Sequence, residues 1–259
     1  MLKIRVIPTL LLKNFGLVKG VSFDSWRRVG PALPAIKVYN QREVDELIFL
    51  DVSATTQLSE PDYELVKDLG ADCFVPFTVG GGISELSQVQ RLLAAGADKV
   101  SINSASYERP KLIEEIASKY GSQCLVVSVD VRYVEGDWIC FSHSGVKSRG
   151  HKIRDWVKQV EDLGAGEILI TSIDKDGTMS GYDLPLIEAV VDSVNIPVIA
   201  SGGAGSYQDI VDVVNKAGAA AAAAASIFHF TELTPSGAKD ALGCAGFPVR
   251  KNFIESSNE

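Results

Sequence analysis

The sequence predicts an α/β fold, a single (βα)8 TIM barrel built from two duplicated half-barrels, and three observations predict it. First, one pattern occurs twice at a constant separation: Gly81 and Gly203, Gly96 and Gly218, and Ser104 and Ser226 are each 122 positions apart. A period near half of 259 residues means two fused halves rather than a solenoid of short repeats. Second, β-rich apolar runs alternate with amphipathic stretches, the signature of right-handed parallel βαβ units. Third, Pro and Gly gather only at turns, so residues 1–259 read as one domain with half-barrels of about 1–122 and 123–245 and a C-terminal tail at 246–259.

In chain order, the predicted strands are 4–12, 47–52, 73–79, 99–103, 124–131, 167–172 and 198–201, and the predicted helices include 85–95, 111–120, 152–163, 186–194 and 207–216. The eighth strand falls on Ala219 to Ala225, a polyalanine run whose intrinsic preference is helical. Duplication overrides that preference, because Ser101-Ile102-Asn103-Ser104 falls on Ala223-Ala224-Ala225-Ser226. Between strand and helix, 134–150 predicts a hairpin-bearing loop over the face where the loops after the strands gather. In such barrels chemistry belongs to that face and stability to the opposite one.

Composition removes several function classes. A net charge of −8 with no clustered Lys and Arg speaks against a nucleic-acid surface. Four cysteines without CxxC spacing, with Cys73 and Cys124 in apolar runs, read as buried free thiols, and three histidines make a metal site unexpected. No signal segment opens the chain and no run reaches the ~18 apolar residues of a membrane span, so no membrane contact, a cytoplasmic location and no cofactor are expected.

Each repeat copy reads as strand, glycine-rich turn, helix, strand and small hydroxyl residue, which lets backbone N–H groups approach an anion closely. Two copies imply a ligand with a phosphate at each end. Asp130 ends an apolar strand and so stands at the barrel mouth, as a general acid or base or as a capping carboxylate. Asp51 ends the second strand similarly, and Asp174, Asp176, Gly177 and Thr178 follow the sixth. At the opposite end, Arg5, Glu46, Lys99 and Glu167 sit at or just before the starts of strands one, two, four and six, either as a gate across the bore or as an ordinary stabilising network. Thr78, Ser101, Thr171 and Ser201 line or fill the bore between.

The strings 77–83 (FTVGGGI), 96–103 (GADKVSIN), 164–178 (GAGEILITSIDKDGT, reading through Ile170) and 199–205 (IASGGAG) closely resemble the cyclase subunit of imidazole glycerol phosphate synthase, over roughly residues 1–230. The resemblance implies a barrel that binds a bis-phosphorylated ligand and takes up ammonia from a separate glutaminase subunit docked at the floor. It places one phosphate at Gly81, Gly82, Asn103 and Ser104, and the other at Asp176, Gly177, Gly202, Gly203 and Ser226. It assigns the ring of Arg5, Glu46, Lys99 and Glu167 as an ammonia gate, Thr78, Ser101, Thr171 and Ser201 as the path beyond it, and Asp98 to partner docking.

One departure from the family pattern is decisive for the expectation. The family carries a catalytic Asp on the first strand, and this chain has Leu11 there, so Asp130 lacks its partner. Leucine moves no proton. The resemblance is then closest to a paralogous branch in which a cyclase-like barrel and a glutaminase supply ammonia to an ATP-dependent amidotransferase that forms an acetamidino group on a bacterial surface sugar. The alternatives are a working histidine-pathway cyclase using Asp51 or Asp176 instead, an inert activator of the glutaminase, and the sister sugar-isomerase barrel.

Overall fold

The structure, a computed structural model, describes residues 2–14 and 16–250, so positions 251–259 of the expected tail lie outside the described residues. Twelve strands are β1 (Arg5–Lys13), β2 (Gly16–Val21), β3 (Asp24–Gly30), β4 (Leu47–Asp51), β5 (Phe77–Gly80), β6 (Lys99–Ile102), β7 (Leu125–Val134), β8 (Asp137–Ser142), β9 (Lys147–Lys152), β10 (Glu167–Ser172), β11 (Val198–Ser201) and β12 (Ala221–Ala224). Eight of them pair in parallel in the order β1-β4-β5-β6-β7-β10-β11-β12, and β12 returns to β1, which closes the (βα)8 barrel. Three strands separate β1 from β7 in either direction around the wall, so these two stand on opposite sides of the bore.

The wall alternates between two apolar environments, as a closed sheet requires. Outward residues such as Val6, Leu47, Val100, Val127 and Ile168 pack against the helices in the main core, while Ile7, Ile48, Val126, Leu169 and Ile199 form a small cluster inside the bore. Helices face the sheet through stripes at helical spacing, for example Leu112, Ile113 and Ile116 on Lys111–Tyr120. Their starts are fixed chemically: Ser206 and Asp209 form a capping box ahead of Tyr207–Asn215, and Asp62 and Asp183 accept from Leu65 N and Leu186 N.

The alanine run is a strand, at Ala221–Ala224, as the repeat demanded. Each side is hydrogen-bonded, to β11 and to β1, and all four residues are buried, so the closing ladder outweighs a helical preference of a few tenths of a kcal/mol per residue. The expected hairpin over 134–150 is present as β8 and β9. A second hairpin, β2 and β3, occupies the matching place after β1, where no strand was predicted from the sequence. Helices at Ala32–Gln41, Tyr63–Ala71 and Pro235–Cys244 complete the outer layer. The thiols differ from expectation: Cys73 and Cys124 are only half-buried because both precede their strands, whereas Cys140 is buried inside β8.

Candidate active site

A cavity of about 360 Å3 opens at the face where the loops after the strands converge. Both glycine turns reach it. Gly81 and Gly82 have φ of 109° and 70°, and Gly202 and Gly203 have φ of 89° and 115°, a left-handed region that L side chains rarely adopt. Space enforces the same choice, since a Cβ on Gly81 would come within 2.3 Å of the Asp51 carbonyl oxygen. Ser104 and Ser226, the hydroxyl that ends each repeat copy, also line this cavity, together with Asn103, Asp176 and Gly177. All nine residues expected at the two phosphates therefore share one cleft.

Three of the nine are engaged in ways the sequence did not foretell; Ser104 Oγ accepts from His143 N at 3.2 Å. The Asn103 side chain donates to Asp130 Oδ2 at 2.7 Å, so its amide serves the carboxylate. Asp176 is buried and accepts from Lys19 Nζ at 2.5 Å, while its own N–H is used by Ser172 O. Lys19 comes from β2, in the hairpin that was not predicted, and it brings a cation to the second glycine turn. The positive charge at this end was thus missed because a single lysine in an unassigned segment carries no periodic signal.

Asp130 and Leu11 both line the cavity, on the opposed strands β7 and β1. Burial pushes the Asp130 carboxyl up to about 7, the nearby Asp176 charge adds to that, and the Asn103 hydrogen bond opposes it. A carboxyl titrating near neutrality can take or give a proton under working conditions. Its neighbours on the rim are otherwise occupied. Asp51 accepts from Ser53 N, Ser53 Oγ and Ala54 N through one oxygen, which makes it the cap of the turn at 53–57. Asp174 accepts from Tyr133 N at the hairpin.

Beneath the carboxylate, Ser101, Thr171 and Ser201 line the cavity as expected, and Thr9 and Ser128 join them. Thr9 and Ser128 are 119 positions apart, as are Leu11 and Asp130, so the repeat held this signal. The Thr9 and Ser101 hydroxyls are buried with no hydrogen-bond partner among the described residues. Thr78 is buried too but is not part of the cavity; it lies deeper, beside Ile48 and Lys99 in the strand register. Below the inner cluster, the four charges close a ring: Arg5 contacts Glu46 at 2.7 Å and Glu167 at 2.8 Å, and Lys99 contacts each carboxylate at 3.2 Å. Asp98 is exposed at this end, its carboxylate accepting from Phe77 N. Among the described residues no group of three metal-ligating side chains occurs, and no helix is long and apolar enough to cross a membrane.

Comparison with known proteins agrees with this geometry. Residues 5–234 match the family model described as "Histidine biosynthesis protein". The chain is 46% identical over 251 residues to "Imidazole glycerol phosphate synthase subunit HisF" of Streptococcus gordonii, covering 96% of this chain and 100% of that protein. The protein of the same description from Streptococcus sanguinis is also 46% identical, with the same coverage. A family match over most of the chain, on a closed eight-stranded parallel barrel, establishes that this chain belongs to the histidine biosynthesis protein family, in its HisF group.

Proposed function

We propose that this chain is the ammonia-accepting barrel subunit of a glutamine-dependent complex. A glutaminase subunit docks on the floor near Asp98, and the Arg5–Glu46–Lys99–Glu167 ring gates the passage of ammonia into the bore. The hydroxyls of Thr9, Ser101, Thr171 and Ser201 suit a small guest that both donates and accepts hydrogen bonds. At the mouth, the two glycine turns, the Ser104 and Ser226 hydroxyls and the Lys19 ammonium take the two ends of a bis-phosphorylated ligand.

The observation that carries the finer reading is Leu11. Closing a ring by proton transfer needs groups on both sides of the substrate, and here an aliphatic side chain stands across the cavity from Asp130. Asp51 and Asp176 are poor replacements, because one is a turn cap and the other is ion-paired with Lys19. The chain on this reading delivers ammonia onward, to an ATP-dependent amidotransferase that forms an acetamidino group on a surface sugar.

The names of the relatives favour a second reading, the cyclase of imidazole glycerol phosphate synthesis, over sugar modification. Asp130, poised near neutrality, is the residue that favours it here. Turnover of the bis-phosphorylated cyclase substrate with ammonium separates the two. The delivery reading expects no more than residual turnover, and a rate like that of an ordinary cyclase would establish the second reading.

A further inference from the structure

The hairpin β8–β9 brings a histidine to the wall of the cavity that the family resemblance did not assign. His143 lies there with Ser104, Gly81 and Gly82. Its backbone N–H donates to Ser104 Oγ at 3.2 Å, which ties the hairpin to the first glycine turn and leaves the Ser104 proton free for a ligand. His143 also has a φ of 53°, followed by Ser144 at 55° and Gly145 at 78°. Such left-handed side-chain-bearing positions persist only where surrounding contacts hold them.

Those contacts fix the imidazole. Arg149 Nε donates to the buried Ser142 Oγ at 2.5 Å, so the Ser142 proton is directed to His143 Nδ1, 3.0 Å away. Arg149 Nη2 stands 3.3 Å from the same nitrogen. A guanidinium cannot accept, so Nδ1 must be the acceptor and the ring proton belongs on Nε2. Nε2 has no hydrogen-bond partner among the described residues, and Glu108 Oε1, at 3.8 Å, is beyond hydrogen-bond reach. Glu108 also lines the cavity, but Arg149 holds it at 2.8 Å and thereby offsets the charge of that carboxylate beside His143.

We propose that His143 is a ligand-contacting residue of the first anion subsite, its Nε2–H donating to a phosphoryl oxygen held by Gly81, Gly82 and Ser104, with Ser142 and Arg149 positioning the ring. The proposal rests on the bis-phosphate reading above and adds a side-chain donor to a subsite otherwise built of backbone and hydroxyl groups.

Titrating the full chain with inorganic phosphate, read at the Gly82 and Gly203 amide resonances, tests it. His143→Ala is expected to weaken phosphate binding at Gly82 about tenfold, as loss of one hydrogen bond to a charged group does, with Gly203 unchanged. His143→Gln, which retains a side-chain N–H, is expected to recover part of the loss. An unchanged Gly82 affinity in His143→Ala, or an equal loss at both glycines, would overturn the proposal. If the wild-type chain shows no saturation at Gly82, the bis-phosphate reading falls first and the proposal with it. Long-range 15N–1H spectra of the unliganded chain give a ligand-independent check: the Nε2–H tautomer is expected, and the Nδ1–H tautomer would overturn the assignment.

Discussion

Asp130 holds its proton because burial disfavours its charged form and a second carboxylate is near, and both causes have measurable consequences. Its carboxyl titrates at about 7 in the fold against 3.8 for an ordinary aspartate. Between those values the folded chain binds more protons than the unfolded one, so this group makes stability fall as pH rises from about 4 to about 7 and contributes no further change above that. Asp130→Asn removes the loss. The variant is expected to gain on the wild type progressively over that window, by up to a few kcal/mol, in urea denaturation at pH 5 and pH 8. A difference independent of pH would mean that Asp130 titrates like an exposed aspartate. Leu11→Asp tests the facing residue. A second carboxylate there is expected to raise the Asp130 pKa further by like-charge repulsion and to add cyclase turnover of up to ~10² to 10⁴ over wild type. If the variant binds the bis-phosphate and remains inert, more than one carboxylate separates this chain from a cyclase.

At the scale of elements, β12 shows how backbone closure can govern side chains that have no strand preference of their own. Ala222 and Ala224 face the helices, while Ala221 and Ala223 face the bore, and Ala223 borders the cavity. Substituting leucine on the two faces should therefore give different results. Ala222→Leu overpacks a site with no exposure and is expected to cost about 1–3 kcal/mol in thermal or urea unfolding. Ala223 is equally unexposed but borders the cavity, so part of the added side chain of Ala223→Leu can enter that space, and its expected effect is weaker ligand binding with a smaller loss of stability. Equal stability costs for both would mean that the cavity beside β12 is closed in solution. The same element marks how far the sequence could be read. Apolar runs exposed seven barrel strands and repetition the eighth and both glycine turns, because each is fixed by position on the wall, whereas Thr9 and Ser128, 119 rather than 122 positions apart, went unread. Lys19 and His143 escaped because they reach the cavity from hairpins folded back over it. Where a hairpin tip comes to rest depends on tertiary contacts such as His143 N to Ser104 Oγ, which leave no local pattern.

For the whole molecule, the two ends of one bore carry different chemistry, and the layer between them is apolar apart from Thr78. Ile7, Ile48, Val126, Leu169 and Ile199 separate a floor of four paired charges from a polar cavity. That layer favours a neutral guest over ammonium, because desolvating an ion there would cost several kcal/mol while ammonia is uncharged. The ring in turn resists solvent while leaving its members exchangeable, since each cation is shared between the same two carboxylates. Lys99→Ala leaves Glu46 and Glu167 with Arg5 as their one cation within the ring. It is expected to lower stability by about 1–3 kcal/mol and, more tellingly, to loosen the link between the two ends. In the complex with the glutaminase, with the amidotransferase, its acceptor sugar and ATP present and amide-labelled glutamine and unlabelled ammonium supplied, wild type should place mostly glutamine nitrogen in the product. Lys99→Ala and Glu167→Ala should hydrolyse glutamine but admit bulk ammonium nitrogen. Isotope partition identical to wild type in both variants would reduce the ring to a structural plug, and delivery of ammonia would then have to follow a route other than the barrel axis.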